Sequence, residues 1–207
     1  MSLEDIKQLR SQFLDVIDGA ISNLENGVEV DSNEKYSLKP YTEHQLKNWE
    51  NSKNIVIYKS QQQLQEFINN AREHKNLSKK MYFGIISDDI AKFIYEETGV
   101  DVHNFNAVLR ADNILKIFDR HGNETKEAER GQRAITDEDI LLLPKLFGEI
   151  DYAKYEGKYT KMQGNNDFIN VKSSIEPSIT IGLIVQNKQL DIRVQTMYSK
   201  KEATPLW

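Results

Sequence analysis

The hydrophobic period of this chain changes once, near residue 150, and that change restricts the fold more than any other feature. Upstream, apolar residues recur at three- and four-residue spacing between capping signals. Downstream, Phe168 to Val171, Ile179 to Gln186 and Leu190 to Tyr198 alternate and are rich in β-branched residues. The turn sequences Gln163-Gly164-Asn165-Asn166 and Gln186-Asn187-Lys188 separate these runs. This order predicts an α+β fold in which helices precede a C-terminal antiparallel sheet, with the last two strands forming a hairpin.

Within the upstream part, Leu3, Ile6, Leu9, Phe13, Ile17, Ile21 and Leu24 form the seam of an amphipathic helix that Gly27 stops. Residues 1–33 therefore read as an N-terminal helix and connector. The seam over residues 3–24 suits a partner helix or self-association, and an ordinary core helix is the alternative. Residues 34–103 form a small α/β segment that precedes the remainder or is integral to it. In it, Thr42 with Gln45 and Ser60 with Gln63 have capping-box spacing, and Ile55 to Tyr58 and Met81 to Ile86 read as strands. A helix follows from Ser87 to Gly99. Residues 104–207 hold the helix-to-strand domain, beginning with a helix from Asp112 that ends at Gly122, read as a left-handed cap. Thr136 to Asp139 then caps a further helix interrupted by Pro144.

Charge and composition limit what such a domain can do. At 207 residues with a net charge of −5, the chain is not built for broad electrostatic capture of nucleic acid, so a polyanion must meet a local patch. The absence of cysteine excludes disulfides, a thiol nucleophile and cysteine-ligated zinc. His44, His74 and His103 lack partners at ligand spacing, so neither a metal nor any other cofactor is expected. No apolar run approaches the roughly 20 residues of a membrane span, and the start is acidic, so no signal peptide and no membrane partner are expected.

The local patch is sought where Arg120-His121-Gly122 is followed by Arg130-Gly131-Gln132-Arg133. A histidine at a helix C-terminus faces the free carbonyls and the negative end of the macrodipole, which suits a general acid or a donor to phosphate. Its spacing from Ile114 and Ile117 equally allows it to complete the core face. Arg130 and Arg133 around Gly131 can converge on an anion, or be neutralised by Glu127 and Glu129 in a solvated loop. In the last strand, strict alternation puts Thr196 and Tyr198 with Ile192 and Val194 on one face and Arg193 on the other. Toward the C-terminus, Lys158, Lys161, Lys172, Lys188, Arg193, Lys200 and Lys201 outnumber Asp167, Glu176 and Asp191, a modest basic region.

Taken in order, Ile114-Leu115-Lys116, Arg120-His121-Gly122, Glu129-x-Gly131-Gln132-Arg133-Ala134-Ile135-Thr136, Asp139-Ile140, Leu143-Pro144 and Thr196-x-Tyr198 resemble the phage-type nuclease domains of the barnase, EndoU, colicin and RelE-like superfamily. Tyr36 to Lys39, Gln45-x-x-Asn48-Trp49 and Ile55 to Tyr58 resemble the segment that precedes such domains in phage and mobile-element proteins. The resemblance implies a metal-independent ribonuclease, a toxin among its forms, that cleaves RNA through its 2′-hydroxyl. It implies His121 as acid or base, Thr196 and Tyr198 as hydroxyls that orient the phosphate, and Arg120, Arg130, Arg133, Arg193, Lys200 and Lys201 as phosphate or RNA ligands. A two-histidine mechanism would require His103. The implied partners are RNA, tRNA included, and an immunity protein, in the bacterial cytoplasm or delivered with a phage or mobile element. Two other readings remain open: a catalytically inactive module that binds protein or nucleic acid, and a metal-free phosphotransfer or ADP-ribosyl-type enzyme.

Overall fold

A computed structural model describes residues 38–50, 52–159 and 166–200, all within one compact unit, Lys35–Trp207. The expected helix over residues 3–24 lies outside the described residues. The first elements are α1 (Glu43–Glu50), β1 (Ile55–Ile57), α2 (Gln61–Arg72), β2 (Lys80–Ile85), α3 (Asp88–Thr98), β3 (Asn106–Arg110) and α4 (Ala111–His121). There follow α5 (Glu124–Glu129), β4 (Gln132–Arg133), α6 (Asp137–Leu141), α7 (Leu143–Gly148) and the strands β5 (Tyr152–Tyr159), β6 (Asn166–Lys172), β7 (Ile179–Gln186) and β8 (Asp191–Lys200). The result is an α+β fold around one eight-stranded mixed sheet.

Local chemistry sets several helix ends. Thr42 and Gln45 exchange backbone-to-side-chain hydrogen bonds ahead of α1. Ser60 and Ser87 accept from Gln63 N and Ile90 N to start α2 and α3, and Gly99 closes α3 with a left-handed φ of 72°. Gly122 departs from expectation. Its φ is −94°, right-handed, and glycine is favoured there for space, because a Cβ would lie 2.6 Å from the Phe118 carbonyl oxygen.

The sheet order is β1-β2-β3-β8-β7-β6-β5, with β4 paired to the far end of β8. β5 to β8 are antiparallel, as the alternating C-terminal segments predict. β3 joins β8 in parallel and β2 in antiparallel fashion, so the segment before residue 104 continues the same sheet. Three strands are not apparent in the sequence, the shortest being the two-residue β4. β3 is a short buried run adjoining α4, and β5 is an edge strand whose Lys154, Glu156 and Lys158 protect it from further pairing and mask its pattern.

One face of the sheet carries Met81, Leu109, Ile192, Val194, Leu183, Ile169 and Val171 into the main core, with Ile114 and Ile117 of α4 and Leu64 and Ile68 of α2. On the opposite face, Trp49 of α1 packs on Tyr41 and Tyr82 with ring centroids 4.9 Å apart in each case. There, buried Asp191 accepts from the Tyr82 hydroxyl at 3.2 Å and from Asn106 Nδ2 at 3.2 Å. Burial pushes the Tyr82 hydroxyl well above its ordinary range, and Asp191 pushes it further.

The expected alternation of β8 fails at Gln195. Ile184 pairs with Arg193 and Leu183 with Val194, but the next residue of β7, Gly182, pairs with Thr196. Gln195 is thus the extra residue of a β-bulge. Beyond it, Met197 returns to the core, while Thr196 and Tyr198 emerge on the face of Arg193. Placing Thr196 and Tyr198 with Ile192 and Val194 is therefore corrected. The bulge needs Gly182 opposite, where a Cβ would stand 2.7 Å from Thr196 Cγ2 and 2.8 Å from Phe168 Cζ. Gly182→Ala is expected to destabilise the fold by about 1–3 kcal/mol, the usual range for overpacking, read as a lower urea midpoint at unchanged slope.

Candidate active site

β3 pairs with β8 only as far as Arg193, after which the chain turns into α4. That helix lies along the edge of β8 vacated by β3, and Asn113 Nδ2 donates to the Val194 carbonyl. The excursion through α5 then returns as β4, which pairs with Ser199 and Lys200, while Ile135 N donates to the His121 carbonyl at 2.7 Å. The C-terminal ends of α4 and β8 are thereby held together. His121 and Tyr198 face each other with ring centroids 6.0 Å apart.

His121 is 18 % exposed, and its Nδ1 lies 3.0 Å from Oε2 of Glu127, a fully buried carboxylate on α5. Asn123 caps α5 by accepting from Lys126 N, which orients that helix. Glu127 also accepts from Arg130 Nη1, which in addition donates to the Arg120 carbonyl at 3.2 Å. A neutral imidazole paired in this way carries its proton on Nδ1 and keeps Nε2 as the acceptor. Glu127 thus sets both ring orientation and tautomer.

Arg133 is also committed to a carboxylate. Its two terminal nitrogens each donate at 2.7 Å to Asp139, which in turn accepts from Thr136 N at 2.9 Å. The bond to Asp139 raises the Arg133 guanidinium above its already high ordinary value. Thr136 serves as a helix cap, and Arg130 and Arg133 are anchored at separate carboxylates, Glu127 and Asp139. Glu129 is exposed.

Arg193, 3 % exposed, and Arg120, exposed, line a second feature: a cleft of about 290 Å³ between α4 and β8. Arg110, Asp112, Asn113, Lys116, Tyr159 and Gln195 complete it. Burial lowers the Arg193 guanidinium from its ordinary value, and neighbouring Arg110 lowers it further. Burial alone would raise the Asp112 carboxyl, but Lys116 at 2.8 Å and Arg110 at 2.7 Å outweigh it and hold the group below the carboxylate range.

The structure therefore brings His121, Tyr198, Thr196, Arg193 and Arg120 to one side of α4 and β8. Lys200 ends β8 opposite Gln132, and Lys201 lies outside the described residues. His103 precedes β3 at the opposite end of β8, roughly 20 Å along the strand from Tyr198, and its Nδ1 is 2.7 Å from Asp101. Arg110, Lys116 and Tyr159 are site residues that the sequence does not single out, and Glu127, expected to neutralise Arg130 and Arg133 in a solvated loop, instead pairs with Arg130 and His121 while fully buried. The i, i+4 spacing of Asp112, Lys116 and Arg120 does mark a charged ridge on α4, whereas nothing local marks Glu127 as buried. Among the described residues, no group of three or more His, Asp or Glu is placed to hold a metal ion.

A family profile described as phage-Barnase-EndoU-ColicinE5/D-RelE like nuclease3 matches residues 84–205, more than half of the chain. No curated protein and no solved structure matches.

Proposed function

The chain belongs to this phage-type nuclease family, and from that membership we propose that it is a metal-independent endoribonuclease acting through 2′-hydroxyl transesterification. The observation that carries the reading is the His121–Glu127 pair beside Tyr198, at the mouth of a strand face shared with Thr196 and Arg193. In the proposed reaction, neutral His121 takes the ribose 2′-hydroxyl proton on Nε2 and water protonates the departing 5′-oxygen, or protonated His121 gives its Nε2 proton to the 5′-oxygen and water takes the 2′-hydroxyl proton. The 2′-oxygen bonds to phosphorus as the P–O5′ bond breaks, leaving a 2′,3′-cyclic phosphate and a 5′-hydroxyl. Thr196 and Tyr198 hydroxyls orient the phosphate, while Arg120, next to His121 in the chain, offsets the charge that develops on the phosphorane. RNA, tRNA first among candidates, is the proposed substrate, with an immunity protein as partner if the activity is that of a toxin.

The reading is tested by incubating the protein with total bacterial RNA and with purified tRNA in EDTA and determining the fragment ends. Cyclic phosphate ends are expected; 3′-hydroxyl ends, or cleavage only on adding a divalent metal, would overturn it. One observation favours a non-catalytic binding module instead: Arg130 and Arg133 each have a carboxylate of their own, Glu127 and Asp139, which neutralises two expected phosphate ligands. Binding of RNA without any cleavage would select that alternative.

A further inference from the structure

Asp112, Lys116 and Arg120 follow one another at four-residue intervals along α4, and Arg110 sits at its start. Four cations, Arg110, Lys116, Arg120 and Arg193, line the cleft with Asp112 as its one carboxylate, which Arg110 and Lys116 share and which therefore only half neutralises them, in a chain whose overall charge is −5. Arg110 stands near enough to Arg193 to repel it, Asp112 and Asp191 work against that repulsion, and an anion entering the cleft would work with them. Tyr159 adds an aromatic face, packed at 5.8 Å against Phe168. Since a helix rises about 1.5 Å per residue, Arg110 lies about 16 Å from His121, too far to hold the phosphate that is cleaved there.

We propose that this cleft is a subsite for single-stranded nucleic acid, in which Arg110, Lys116 and Arg193 take a backbone phosphate remote from His121 and Tyr159 stacks on its base. The inference rests on the nuclease reading and deepens it, by assigning a substrate that is single-stranded and spans several nucleotides. Single strands present base faces to an aromatic ring, whereas a duplex keeps them stacked. The near-complete burial of Arg193 points the same way, because its guanidinium meets a phosphate that enters the cleft and not one that passes over its rim.

The test is binding, which needs no chemistry and so can fail or succeed independently of RNA cleavage. A fluorescein-labelled, uncleavable 2′-deoxy decamer is titrated with wild type, Arg110→Ala, Lys116→Glu and the Arg110→Ala/Lys116→Glu double variant, each confirmed as folded by circular dichroism. The double variant should bind at least about tenfold more weakly. Its plot of log affinity against log salt should be shallower by about 0.7 for each phosphate it no longer neutralises. Lys92→Ala, on the exposed side of α3, should bind as wild type. Because Lys116 is 46 % exposed, its variant keeps the test valid if Arg110→Ala fails to fold. Unchanged binding by the double variant, equal affinity for a blunt duplex, or equally strong competition by polyglutamate would overturn the proposal, the last assigning the cleft to acidic protein.

Discussion

His121→Ala is expected to reduce RNA cleavage by about 10²- to 10⁴-fold, the span attributed to a positioned proton-transfer group, with little change in KM. The loss should fall on kcat because Nε2 acts on protons that move only in the transition state, while the backbone of the substrate is held elsewhere. Folding should survive. The ring makes one hydrogen bond, to Glu127, and that carboxylate keeps Arg130 as a partner, so a cost of about 1 kcal/mol is expected. Single-turnover rates on a short RNA, alongside urea denaturation, separate the two effects. His103→Ala supplies the contrast: paired with Asp101 at the other end of β8, it should leave the rate unchanged, and a comparable loss there would favour a two-histidine mechanism.

Glu127 should show the second-largest effect, as a positioning residue that acts through His121. Glu127→Gln preserves size but removes the charge and offers an amide whose orientation can leave Nδ1 without an acceptor. A drop of about 10- to 100-fold is expected, the usual consequence of losing the partner that orients a functional imidazole. The pH–rate profile should move with it, which a merely structural role would not produce. Glu127→Ala adds destabilisation of about 1–3 kcal/mol, since the imidazole loses its buried partner. That figure is held down because Arg130 is 54 % exposed and can turn to water. A wild-type rate and profile in Glu127→Gln would reduce Glu127 to packing.

How much of this was legible in the sequence varies by element. Ser87 and Gly99 bracket α3 as their cap chemistry predicts, and α4 runs from Ala111 to His121, within one residue of its apolar pattern. The β7–β8 hairpin follows from two alternating runs around a turn. The ordered motifs around His121, Arg130 and Thr196 marked the nuclease family. By contrast, β5 was hidden by its lysines, and β3 by its shortness beside a helix.

The candidate site divides along the same line. His121 at a helix end is a local fact: the 3.6-residue period and the following glycine place it there without reference to the rest of the chain. That Thr196 and Tyr198 share a face with Arg193 is not local. It depends on Gln195 bulging against Gly182, a register relation with another strand, so an alternation count along β8 alone assigns the wrong side. Glu127 looks in sequence like one more acid in a charged stretch, and only the packing of α5 against α4 and β4 buries it beside His121. Caps, periods and turns act over a few residues and are written in the sequence. The side of a sheet on which a hydroxyl emerges, and whether a carboxylate loses its water, were decided by contacts between segments far apart in the chain.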